Sequence, residues 1–450
     1  FEERNRLSLI PGLKKHRRWF QSDKRTSCIC IRYGLFSCIL FQEEGFLIMF
    51  RFLTSGESHG HCLNAIIENF PAGVPVKAED VNRDLARRQL GYGRGERMKI
   101  EQDSVEIVAG VRECKTLGSP ISLIIWNRDW VNWERVMNPG ENDPGQVAGK
   151  LVTNPRPGHA DLTGVLKYAH EDVRNVLERA SARETAARVA VGAFARALLA
   201  HFNIVVGSHV IALGGVEAPC WSPETRVDPQ KISELADRSE VRCLSAEASE
   251  KMIGRIRQAI EEKDTLGGIF EVVVTGVPPG LGSYTQWDRR LDARLVAALV
   301  SIPAVKGAEV GPAFENTGKP GSAVHDEIFR RGEREEVPGM PGHPGLYYRK
   351  TNRAGGIEGG MSNGEPLILR AAKKPIPTVM KPLRTVDIAT GSPALASTER
   401  SDICTVPAAS VVGEAVVAIE VARAFLESFG GANILDIEAN YNNYLVRITH

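Results

Sequence analysis

The chain carries no marked excess of either charge: 56 Lys and Arg face 55 Asp and Glu over 450 residues, a formal net charge of +1. That balance excludes a surface built wholesale for nucleic acid or anionic lipid, so any anion site must be a local cluster. Long apolar runs are missing too. The run Leu35 to Leu40 (LFSCIL) falls well short of the about 20 residues that a membrane-spanning helix needs, and no membrane or nucleic-acid partner is expected. The eight cysteines show no framework spacing. Cys28 and Cys30 form a C-x-C with no second ligand pair, short of the four converging ligands of structural zinc. A reduced, cytoplasmic setting and no metal are the expectation. There is no internal repeat, and G-Y-G-R-G at 91–95 is not the G-x-G-x-x-G of a dinucleotide fold.

What is present reads as a large globular core, with 43% hydrophobic and 25% charged residues. Apolar and β-branched runs predict strands at Phe50 to Thr54, Ser104 to Val111, Ile121 to Trp126, Ile204 to Leu213 and Ile269 to Val277. They do not alternate regularly with helices, which argues against a doubly wound parallel sheet. Three segments predict buried helices: Arg183 to His201, Leu291 to Ser301, and Ala408 to Phe429, the last opened by Pro407 and closed by Gly430-Gly431. A helix apolar on nearly every face must be covered on several sides, which a position between sheets provides. Gly332 to Gly345 reads as a Pro/Gly-rich surface loop.

Residues 1–48 differ from the rest. They begin without Met and are rich in Arg and Lys, but Glu2, Glu3, Asp23, Glu43 and Glu44 do not suit a transit peptide. Met49 opens the well-patterned region. The expectation is a non-native or disordered extension over 1–48, arising from upstream translation, and one catalytic domain over 49–450.

Five constellations carry chemistry. Arg87, Arg88, Arg94 and Arg97 lie among Gly91, Gly93 and Gly95. Glycine permits close backbone approach and guanidinium matches phosphate or carboxylate, so the stretch is either an anion-binding surface or a solvated loop. Ser181 and Glu184 form a capping box flanked by Arg179 and Arg183; this is a second phosphate site at a helix N-terminus or simply a capped helix. Asn154 to Asp161 is a stiff Pro/Gly loop that presents His159, a proton carrier or a structural histidine. Gly56-Glu57-Ser58-His59-Gly60 formally matches the G-x-S-x-G nucleophile elbow. That elbow needs earlier strands and a long following helix, and the residues after it, with Pro71 and Gly73, do not supply one. A Ser-His pair that binds a phosphate and protonates it is the other reading. Last come the glycine-dense Gly355 to Gly364, the rigid basic Lys373 to Thr378, and Arg400-Ser401-Asp402 ahead of the final buried helix.

In this order the segments resemble the chorismate synthase family. The matching stretches are TSGESHG at 54–60, RRQLGYGRGERMKIE at 87–101, RPGHAD at 156–161, ERASARETAARVA at 178–190, SIPAVKGAEVG at 301–311, HDEI at 325–328, NRAGGIEGGMSNGEP at 352–366, KKPIPT at 373–378 and RSDICTVPAASVVGEA at 400–415. The resemblance spans Met49 to near the C-terminus and leaves 1–48 outside. It implies an α+β, single-domain β-α-β sandwich with buried helices between antiparallel sheets, usually a homotetramer. It implies an anti 1,4-elimination of phosphate from 5-enolpyruvylshikimate 3-phosphate, giving chorismate, the last common step of the shikimate pathway to the aromatic amino acids. Reduced FMN is the implied cofactor, regenerated at the expense of NADPH by a separate flavin reductase, since the chain shows no nicotinamide motif of its own.

Residue by residue, His59 resembles the family's acid beside the leaving phosphate, with Ser58 next to it. His159 resembles the histidine that protonates the flavin, and Asp402 the aspartate that helps relay the substrate's C6 proton. Arg88, Arg94, Arg97, Arg156 and Arg183 match the substrate-binding cations. Arg179, Ala180, Ser181, Pro303, Ala304, Gly359, Lys374, Pro375, Ile376, Pro377, Thr378 and Arg400 match flavin-binding positions. Three departures stand out: Ser401 where many relatives carry His, Pro303 where Gln or Asn is common, and a longer loop at 332–345. A serine hydrolase using Ser58 and a non-catalytic flavin- or anion-binding protein are the competing readings.

Overall fold

In the computed structural model the described residues are 50–95, 100–140, 151–222, 228, 231–330, 332, 345–398 and 401–449. They belong to one compact unit bounded at Met49 and His450. The expectations for 1–48, Arg97, Arg400 and nearly all of the 332–345 loop fall outside the described residues.

Two antiparallel sheets are built from the apolar runs. The first contains β1 (Arg51–Ser55), β2 (Cys62–Glu68), β3 (Val105–Ala109) and β4 (Ile121–Trp126), in the order β1-β2-β4-β3. Alternation fixes which face is covered: Ile121, Leu123 and Ile125 are buried, while Trp126 is exposed. The second contains β5 (Val205–Leu213), β6 (Gly268–Thr275), β7 (Val305–Val310) and β8 (Leu367–Lys373), in the order β7-β8-β6-β5, with the short strand Val216–Glu217 at the β5 edge. Nearly continuous burial along β5 and β6 means that this sheet is covered on both faces.

Helices fill the space between. α1 (Ala78–Gln89) packs on α5 (Thr185–His201), α5 packs on β2 and β4, and α8 (Val406–Phe429) packs on α5 on one side and on β5 and β6 on the other. α7 (Leu291–Val300) lies against α8 and β7. Gly192 lets α5 and α8 approach closely, because a Cβ there would overlap the side chain of Ala415. One hydrophobic cluster runs through both sheets and these helices, from Ile67 and Leu123 through Phe194 and Val417 to Phe270 and Leu369. The expected α+β sandwich is thus observed, its helices held between antiparallel sheets. Among the described residues no helix is long and apolar enough to cross a membrane.

Two local expectations need correction. The Ser181–Glu184 box does not start the long helix directly: Ser181 caps a short 3-10 turn (Ala182–Glu184), its Oγ accepting from Arg183 N, and α5 begins at Thr185. Arg87 and Arg88 sit not on a glycine loop but in the last turn of α1. That helix is hard to read from sequence because only Val81 and Leu85 mark its apolar stripe, while Asp84, Arg87 and Arg88 are also buried.

Candidate active site

A cavity of about 500 Å³ opens where the two sheets and α8 meet, a size suited to a small-molecule or cofactor site. Its floor is apolar: Ala408, Ala409 and Val412 of α8, with Leu177, Ile302 and Pro377. Its walls are cationic, lined by Arg88, Arg94, Arg156, Arg183, Lys373 and Lys374.

The turn that carries Ser58 and His59 joins antiparallel β1 and β2, so the strand-to-helix geometry of a hydrolase elbow is absent. Asn127 Nδ2 holds the turn by donating to the carbonyls of Glu57 (3.1 Å) and Gly60 (2.6 Å). Ser58 is buried and lines the cavity. His59 Nδ1 lies 2.9 Å from Glu178 Oε2 and 3.0 Å from Oε1, and its ring stacks on Trp133 with centroids 4.0 Å apart. Glu178 closes α4 (Arg174–Ala180). Burial works against its charge, but the hydrogen bonds from His59 hold the Glu178 carboxyl below the usual range.

Across the cavity His159 makes a second pair, its Nδ1 meeting Asp161 Oδ1. Arg156 ties this group together, its Nε donating to Asp161 Oδ2 (2.9 Å) and its NH1 to Thr378 Oγ1 (2.9 Å). Burial opposes ionisation of Asp161 as well, yet His159 and Arg156 hold it well below the ordinary carboxylate range. Asp402 accepts from Gly95 N at 2.6 Å and pairs with Arg94 at 2.8 Å.

Arg183 donates to Asn127 Oδ1 at 3.0 Å and pairs with Asp103 and with Glu101. Arg88 shares Asp103, but only at 3.6 Å, and its buried Nε has no hydrogen-bond partner. Burial pulls the Arg88 guanidinium down to about 10, and Asp103 offsets this only in part against Arg183 and Arg94 nearby. Lys373, at the end of β8, is pulled down by burial to about 8. Cations left short of partners in a walled cavity favour an anionic ligand.

The structure brings Ser58, His59, Arg88, Arg94, Arg156, His159 and Arg183 to this one cavity, with Ala180, Ser181, Pro303, Ala304, Lys374, Ile376, Pro377, Thr378 and Asp402. Ala304 adopts φ +68°, and its carbonyl accepts from Lys374 N. Three expected residues are elsewhere. Arg179 turns away to donate to the carbonyls of Thr54 and Gly56, Gly359 sits in the hairpin turn between Ile357–Glu358 and Met361–Ser362, and Pro375 lines a separate cavity behind the 374–377 segment. Sequence reasoning passed over Lys373, Glu178, Asp161, Asn127 and Trp133. Lys373, Glu178 and Asp161 stood inside motifs already singled out; Asn127 and Trp133 carried no signal apart from their partners.

A sequence model described as Chorismate synthase matches residues 50–426. The chain is 57% identical over 402 residues to a chorismate synthase of Pelobacter propionicus, covering 89% of this chain and 99% of that one. It is 56% identical over 396 residues to one of Alkaliphilus metalliredigens, covering 88% and 99%. A solved structure titled as the crystal structure of chorismate synthase superposes with a TM-score of 0.69 at 39% identity, over 89% of this chain and 98% of that one. With the sandwich and its cationic cavity already in place, these similarities show that the chain belongs to the chorismate synthase family of lyases.

Proposed function

We propose that the chain eliminates phosphate from 5-enolpyruvylshikimate 3-phosphate to give chorismate, with reduced FMN held in the same cavity. The observation that carries this is a cationic cavity with an apolar floor, into which two carboxylate-held histidines converge. The substrate's phosphate and two carboxylates need several fixed cations, and Arg88, with a buried Nε awaiting an acceptor, fits that need. The floor of Ala408, Ala409 and Val412 suits a flat ring, and Lys374 to Thr378 offers a rigid edge against it. When bound, reduced flavin supplies electron density to the allylic C–O bond as it breaks.

The protein's own groups do the rest. Arg88, Arg94, Arg156 and Arg183 orient the anionic groups and stabilise charge developing on the departing phosphate. His59 donates a proton to that phosphate, making it a better leaving group. His159 holds a proton on the flavin side of the cavity, and Asp402 is the carboxylate that receives the proton lost from C6. We further propose a cytoplasmic homotetramer that depends on an outside flavin reductase.

The test is anaerobic mixing of the protein with substrate and photoreduced FMN. Equal amounts of chorismate and phosphate are expected, with loss of both in His159→Ala. Flavin binding without chorismate would favour the non-catalytic reading. Turnover in air with NADPH and FMN alone would remove the need for an outside reductase.

A further inference from the structure

We propose that Glu178 is a positioning residue for His59, fixing the imidazole through Nδ1 so that Nε2 is the ring nitrogen left to act as the donor. The inference rests on the acid role given to His59 above.

The geometry is over-determined. Both Glu178 carboxylate oxygens lie within 3.0 Å of His59 Nδ1. His59 N donates to the same carboxylate at 2.9 Å, and Ser58 N donates to the Glu178 carbonyl at 3.0 Å. One residue of α4 therefore grips the turn by backbone and side chain together. The Glu178 side chain is 1% exposed and that of His59 12%, so water competes little for either group. Arg174 NH1 donates to Glu178 Oε1 at 3.1 Å and fixes its rotamer. The same guanidinium lies 5.1 Å from the Trp133 ring, which stacks on His59. Glu178, Arg174 and Trp133 thus form a frame around the imidazole.

The charges around His59 give the carboxylate its importance. Arg174 approaches from α4, and Arg183 and Arg88 line the same cavity as His59. Among the described residues Glu178 is the one carboxylate bonded to His59. With Nδ1–H committed to an anion, Nε2 is the ring nitrogen left for a ligand in the cavity that His59 lines.

A double-mutant cycle on the full chain tests this. Glu178→Gln keeps size and one acceptor but removes the charge. It is expected to lower kcat about 10- to 100-fold with KM little changed, less than the about 10²–10⁴-fold of a lost general acid because the imidazole itself remains. In a His59→Ala background the same substitution is expected to change kcat less than about 2-fold, because both act through one group. Glu178→Asp, which keeps the charge, is expected to recover part of the loss, and it carries the same cycle if the Gln variant does not fold. A second readout needs no turnover. The imidazole lies against the Trp133 indole, centroids 4.0 Å apart, so the Trp133 emission, identified by its loss in Trp133→Phe, is expected to change in Glu178→Gln as the ring loses its fixed position. A full kcat loss from Glu178→Gln in the His59→Ala background, or unchanged Trp133 emission, would overturn the positioning role. Unchanged kcat in His59→Ala would instead overturn the acid role of His59, and the emission change would still decide whether Glu178 fixes its position.

Discussion

Arg87 and Arg88 are neighbours in the last turn of α1, yet they serve two opposite regions of the molecule. Arg87 points into the sandwich, where it meets Glu414 of α8 at 2.8 and 2.9 Å, Asp84 at 3.0 Å and Asp237 at 2.7 Å. Arg196 and Arg242 join the same Glu414, as do the hydroxyls of Ser208 and Ser233. Burial opposes the charge of Arg87, but Glu414 overrides it and raises the guanidinium above its ordinary value. Arg88 points into the cavity, where it meets Asp103 only at 3.6 Å and its guanidinium falls to about 10. A hub whose charges pair within itself holds the fold. A cavity in which Arg88 is left short of a partner waits for a ligand. A single residue step, about 100° around the helix, separates the two uses of the same side chain.

The strongest way to break the comparison is at Glu414, which is fully buried. Glu414→Ala leaves three arginines without their shared carboxylate and is expected to cost about 3–5 kcal/mol of stability, read as a lowered urea midpoint with an unchanged slope. The cavity is expected to answer in the opposite sense. Arg88→Met removes a poorly paired cation, so its unfolding midpoint holds or rises, while affinity for the anionic substrate falls about 10- to 100-fold, the effect of one lost charge-assisted hydrogen bond. Equilibrium binding beside urea denaturation checks both halves. If Arg88→Met proves as destabilising as Glu414→Ala, the division into hub and cavity is wrong.

The smallest effect concerns pH at Lys373. Its folded value, about 8, lies below the ordinary lysine value of 10.5, so between these values the unfolded chain binds more protons. Apo-protein stability is therefore expected to rise with pH across that window, the penalty for the buried charge being full below it. Anion affinity is expected to move the other way and weaken above about 8 as the ammonium is lost. Lys373→Met should flatten both trends, followed by thermal unfolding and by flavin titration between pH 7 and 10.

Much of the scaffold was legible before any contact was known. Ile121 to Trp126 is observed with the bounds its β-branched run predicts, and α8 spans Val406–Phe429, with Pro407 in its first turn and Gly430 just past its end. The motifs also named most of the cavity lining in chain order. The helix α1 was hidden, because its buried face is as much Asp84, Arg87 and Arg88 as Val81 and Leu85, and apolar periodicity cannot register charges that are buried in pairs.

By itself, then, the sequence determined which segments are strands and buried helices, since that follows from local periodicity and end signals. It also determined the family, since ordered motifs carry that. Only the tertiary structure decided which charged groups meet. Arg87 finds Glu414 from 327 residues away and His59 finds Glu178 from 119. Whether an arginine becomes a pillar or a ligand-binding group depends on the distance to its carboxylate and the water left around it, and neither quantity exists until the sheets close over the helices.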